Sequence, residues 1–100
     1  MLVHSVYFWL KPDISAAQRA RFRAEVEKLA AVATIEKIYV GPPAGVPGRD
    51  VTDRTFDLGL TILFRDAKAH DAYQIDPVHL SFVEGNRDAW VRVQVYDSEG

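Results

Sequence analysis

Between Leu2 and Leu10 the chain alternates like a β-strand but has no polar side. Leu2, His4, Val6, Phe8 and Leu10 fall on one face, and Val3, Ser5, Tyr7 and Trp9 on the other. Successive side chains of a strand point to opposite faces, so this segment needs cover on both. A sheet with one face left in water does not satisfy it.

The rest of the chain supplies the first cover. Lys11, Pro12 and Asp13 end the strand, and Ser15 with Gln18 three residues on forms a capping box for a helix. Phe22, Val26, Leu29 and Ala33 recur at helical spacing among charged residues, so this helix is expected to run to about Ala33. Ile35 to Val40 reads as a second strand, and the Gly- and Pro-rich stretch from Gly41 to Asp53 as a loop. Thr55 to Arg65 alternates again, with Phe56, Leu58, Leu60, Ile62 and Phe64 on one face. Asp66 caps a helix through Ala67, Ala69, Ala72, Tyr73 and Ile75, which Asp76-Pro77 stops and restarts. Leu80, Phe82 and Val83 give the restarted piece an apolar side, and Gly85-Asn86 an ending. Trp90 to Asp97 alternates Val91, Val93 and Val95 with Arg92, Gln94 and Tyr96.

Four strands interleaved with helical crossovers as βαββαβ specify an α+β, ferredoxin-like fold: a four-stranded antiparallel sheet with helices on one face. The helices cover only one side. Val3, Tyr7 and Trp9 would remain as an apolar patch on the other, and a second copy packed sheet to sheet would bury it. A homodimer, the two sheets pairing into a barrel, is therefore expected.

At 100 residues the chain is one domain, residues 1–100, and 48% hydrophobic with 26% charged residues is ordinary globular composition. Twelve basic against 14 acidic residues give a net charge of −2, without the excess that phosphate neutralisation needs, so no nucleic acid partner is expected. The absence of cysteine excludes disulfides, thiolate catalysis and cysteine-held metals. The longest apolar run, Val6 to Leu10, is far short of the ~20 residues of a membrane helix. No membrane partner is expected, and the cytoplasm is the expected compartment.

The phosphate-cradling glycine loop, serine nucleophile elbow, HExxH and calcium-loop motifs are all missing. Chemistry is left to histidine, tyrosine and carboxylate. His70, among Lys68, Asp71 and Gln74, reads as a solvated surface residue. His4 lies on the helix-facing side of the first strand and reads either as a core histidine bonded to a backbone carbonyl or as a site residue. His79 would be the third residue of the helix begun by Asp76-Pro77, where the positive end of the dipole disfavours imidazolium. It is either a packing residue or a neutral base. Tyr73 either packs with its hydroxyl at the surface or approaches His79, and Asp97 is either solvated or orients the His79 ring. His4 and His79 alone are one short of a usual three-ligand zinc site, so no metal is expected.

The pattern His4-x-Val6-x-Phe8-x-Leu10-Lys11, the segment Ala72-Tyr73-Gln74-Ile75-Asp76-Pro77-Val78-His79-Leu80-Ser81-Phe82 and the ending Trp90-x-x-Val93-x-Val95-Tyr96-Asp97 together resemble the stress-responsive A/B barrel family. The resemblance implies a dimeric α+β barrel and, from the best-understood activity in the family, a polyketide cyclase working by aldol condensation without a cofactor. It implies His79 as the base, Tyr73 as donor to a developing enolate, Asp97 as the group orienting His79, and His4 in the pocket wall. A small, largely apolar carbonyl compound would sit between the sheet and the first helix, against Val6, Phe8, Phe22, Val26 and Trp90. Four positions depart from the pattern: Asp76 stands where the family commonly has a second histidine, Val26 where the cyclase has a tyrosine, and Leu80 and Val83 lengthen the side chains beside His79. A stress-associated dimer with a binding or structural role and no turnover is the alternative. A haem- or quinol-processing monooxygenase, which other dimeric α+β barrels host, finds no ligand set in this chain.

Overall fold

The computed structural model describes residues 1–100. The elements follow as β1 (Leu2–Leu10), α1 (Ala16–Glu27) with a 3₁₀ turn at Lys28–Ala31, β2 (Ile35–Gly41), β3 (Leu58–Phe64), α2 (Ala67–Gln74), α3 (Pro77–Asn86) with a 3₁₀ turn at Arg87–Ala89, and β4 (Trp90–Glu99). One antiparallel sheet holds the strands in the order β2-β3-β1-β4. This is the ferredoxin-like βαββαβ plan, with β1 at its centre.

Local chemistry starts the helices. The Ser15 hydroxyl accepts from the Gln18 amide at 3.1 Å and the Gln18 side chain accepts from the Ser15 amide at 2.7 Å, closing the capping box. Asp66 accepts from the Ala69 amide at the start of α2. Asp76 accepts from the Val78 amide, with Pro77 as first residue of α3. α1 stops earlier than its apolar spacing predicts, because the chain tightens to 3₁₀ at Lys28 and Val32 turns extended.

The core lies between the sheet and the helices. Leu2, His4, Val6, Phe8 and Leu10 of β1 and Leu58, Leu60, Ile62 and Phe64 of β3 are all buried, under Phe22, Val26, Leu29, Tyr73 and Phe82. Three strand-level expectations are corrected. β3 begins at Leu58 rather than Thr55, because Asp57 is drawn to the end of β1: its amide donates to the Phe8 carbonyl, and its carboxylate accepts from the Leu10 amide and Arg19. Phe56 accordingly packs on the opposite face, its ring 4.8 Å from that of Tyr7. In β4 a bulge opposite Trp9 and Leu10 leaves Val91 unpaired and 62% exposed, and places Trp90, Val93, Val95 and Asp97 on the helix side. In the helices Ile75 and Leu80 face outward, since α2 ends at Gln74 and α3 buries only Phe82 fully.

The other sheet face is left open. Tyr7 lies over Gly59, where a Cβ would come within 3.3 Å of its ring, and Arg92 sits 4.2 Å above Trp9. Tyr96 beside them is 63% exposed. The molecule is a slab of 36 × 33 × 18 Å.

These burials set the response to mutation. Ile62→Ala, at a fully enclosed position, is expected to lower unfolding free energy by about 2–5 kcal/mol. Val91→Ala, on the bulge, should stay within about 0.5 kcal/mol. Urea titrations of both variants check the contrast.

Candidate functional site

Three of the residues singled out in the sequence meet at one cavity. His4 comes from the buried face of β1, Tyr73 from the last turn of α2 and His79 from the first turn of α3. The cavity is about 150 Å³. Its sheet side is made by Val6, Phe8, Leu60, Trp90, Val93 and Val95, and its helix side includes Leu29, Gln74, Phe82 and Val83. The walls are mostly hydrocarbon, with polar groups brought in by His4, Tyr73, Gln74 and His79.

The Asp76-Pro77 break makes this arrangement. Pro77 cannot continue the α2 hydrogen bonding, so the chain restarts as α3 and brings His79 back under Tyr73, their rings 4.6 Å apart. His79 Nδ1 donates to the Gln74 carbonyl at 3.1 Å, which leaves the lone pair of the neutral ring on Nε2. Burial holds the His79 ring below the usual imidazole range. The Gln74 carbonyl opposes that shift, and nearby His4 adds to it. Tyr73 is 1% exposed, and burial alone pushes its phenol well above the ordinary tyrosine range. At neutral pH it is a hydrogen-bond donor.

Asp97 serves a different histidine from the one expected. The β1–β4 register sets Asp97 directly across from His4 on the same face, and its carboxylate accepts from His4 Nδ1 at 2.6 Å. His4 is thus neither bonded to a backbone carbonyl nor left for His79 to share Asp97. Phe22 and Val26 are also corrected. Both are buried, but they pack between α1 and the sheet and do not line the cavity, which lies under the α2–α3 break. Of the region after α1 only Leu29 reaches it. A larger, shallower cleft of about 360 Å³ between α1 and α3 shares Leu29 and Phe82 but contains neither histidine nor tyrosine.

His70 is not the solvated residue that its neighbours suggested. Its side chain is 17% exposed, and its ring lies 5.1 Å from His4 and 5.6 Å from Phe64. A signal was present: His70 is three residues before Tyr73 and four before Gln74, hence on the same helix face. Gln74, Leu60, Val93 and Val95 also escaped the sequence reading. The two valines are placed by cross-strand pairing with Phe8 and Val6, a register that only the structure shows.

The Stress responsive A/B Barrel Domain profile, Dabb, matches residues 2–99. The chain belongs to the stress-responsive A/B barrel family. No curated protein matches it. Among solved structures, a Dabb family protein of ferredoxin-like fold from Mesorhizobium loti is 22% identical, with TM-score 0.80 over 99% of this chain and 95% of that one. A dimeric ferredoxin-like protein of unknown function from Bacteroides fragilis is 20% identical, with TM-score 0.77 over 99% and 95%. A hydroxynitrile lyase from Passiflora edulis is 20% identical, with TM-score 0.79 over 97% and 90%. No helix of this Dabb domain is long and apolar enough to cross a membrane.

His79 also couples this Dabb domain's stability to pH. Its folded pKa lies below the ordinary 6.5, so the unfolded chain binds more protons between the two values. The neutral ring's contribution is complete above about pH 6.5 and is lost as pH falls through the folded value. Stability should therefore drop on acidification across that window, and His79→Gln should remove this part of the drop. Urea midpoints of the two proteins from pH 7.5 to pH 5 measure it.

Proposed function

We propose that this protein is a homodimer that binds a small, largely apolar carbonyl compound in the inner cavity and removes a proton α to the carbonyl. The observation that carries the reading is the convergence of His79 and Tyr73, in complementary protonation states, on one apolar cavity. His79 Nε2 takes the proton; the Tyr73 hydroxyl donates to the carbonyl oxygen and to the enolate as charge develops there. Asp97 fixes the His4 ring, which forms part of the cavity wall. At about 150 Å³ the space equals an apolar cavity that holds a benzene ring, so a ligand of about six to eight non-hydrogen atoms fits it. That favours the proton-abstracting first step of an aldol-type reaction on a compound smaller than an extended polyketide. A hydroxynitrile lyase shares the fold, so the framework accommodates lyase chemistry.

The open sheet face supports the dimer. The chain exposes 6486 Å², against ~5,700 Å² expected for a folded monomer of 11.2 kDa. The excess is roughly 800 Å², the area that one partner contributes to a standard interface. Relatives in fold from Bacteroides fragilis and Thermobifida fusca are dimeric.

Proton abstraction is read from α-hydrogen exchange of cyclohexanone in D₂O, followed by NMR. The protein should accelerate exchange over buffer; His79→Ala should lower the rate by about 100-fold or more and Tyr73→Phe by about tenfold, with circular dichroism unchanged. Binding of cyclohexanone without exchange would reduce the protein to a ligand-holding dimer, and no binding would remove the carbonyl reading. For the dimer, light scattering at micromolar concentration should give twice 11.2 kDa, and Tyr96→Glu on the open face should shift it toward the monomer.

A further inference from the structure

His4, Asp97 and His70 come from β1, β4 and α2 respectively, and the fold gathers them around His4, the one of the three that lines the cavity. Each offers a ligand atom, and these atoms all lie within 4.8 Å of one another. We infer that the three residues form a binding site for a single divalent cation of the zinc class. Two imidazoles and a carboxylate are a donor set that suits zinc, and three protein ligands are the number found in open zinc sites.

The geometry favours this over an accidental cluster. His4 is rigid, buried to 4% exposure in the centre of the sheet, and its Nδ1 already stands 2.6 Å from the Asp97 carboxylate. A cation would replace the proton they share. Ligand atoms around a tetrahedral zinc are ~3.3 Å apart, given bonds of about 2.0–2.1 Å. Reaching that spacing requires His70 to swing inward from a ring held by two 3.2 Å contacts, to Asp71 and Gln74. The Asp97 side chain is 43% exposed, which leaves the cation a route from solvent. Counting histidines along the chain paired His4 with His79 and left the set one short; folding supplies His70 instead.

With three protein ligands the cation keeps a fourth position for water or for an oxygen of a molecule in the cavity that His4 lines. The inference does not rest on the carbonyl reading, since His70 has no part in it.

Titration of chelator-treated protein with Zn²⁺ by calorimetry tests the site. The expected result is one ion per chain, with affinity weakened at least about tenfold in His70→Ala and in Asp97→Asn, and unchanged in His79→Ala. Co²⁺ should give a visible d–d spectrum that His70→Ala abolishes. His70 is partly exposed on a helix where alanine is favourable, so that variant keeps its fold and decides the case. Equal zinc affinity in wild type and His70→Ala, no binding by either, or loss of binding in His79→Ala would each overturn the assignment. Cyclohexanone exchange measured on His70→Ala separates the two sites, because its persistence leaves the carbonyl reading standing whatever zinc does.

Discussion

β1 is hydrogen-bonded on both edges, to β3 and to β4, so its backbone is fixed and its side chains decide what must lie above and below the sheet. Four of its five helix-facing residues are apolar, and the fifth is His4. A buried imidazole without a partner costs about 1–3 kcal/mol. Here the partner is Asp97, which only the antiparallel pairing of β1 with the last strand can place across from it. The burial of His4 in the central strand therefore depends on one hydrogen bond. It joins residues 93 positions apart, and a one-residue slip in register would send Asp97 to the opposite face.

The same dependence explains what was legible in the sequence. Signals confined to a few neighbouring residues were legible: the Ser15–Gln18 capping box, the Asp66 and Asp76 caps, the Pro77 restart and the alternation of β1 and, from Leu58 onward, of β3 all operate in the folded chain as their chemistry implies. These fixed element order, and element order with crossover rules is enough for the fold. The site was legible as far as it depended on local spacing, which is why Tyr73 and His79 meet. What depended on register was not. The β4 bulge decides that Val91 is outside and Trp90 inside, and nothing in Trp90-Val91-Arg92 announces it. The family resemblance pairs Asp97 with His79, whereas strand pairing sets it against His4. Phe22 and Val26 have the right periodicity for a wall, but periodicity cannot tell a packed wall from a cavity wall.

A cavity of about 150 Å³ between the sheet and the helices is close packing that the core goes without. A domain of this size has about 5–15 kcal/mol in total. The Asp76-Pro77 break lies between Gln74 and His79 of the cavity lining and leaves Ile75 in solvent at 75% exposure. A 100-residue chain has little apolar burial to spare for such a space, and the open face bearing Tyr7, Trp9, Phe56 and Tyr96 offers more of it. In the proposed homodimer the second copy belongs to the energetics of the site, although the cavity itself is lined by one chain.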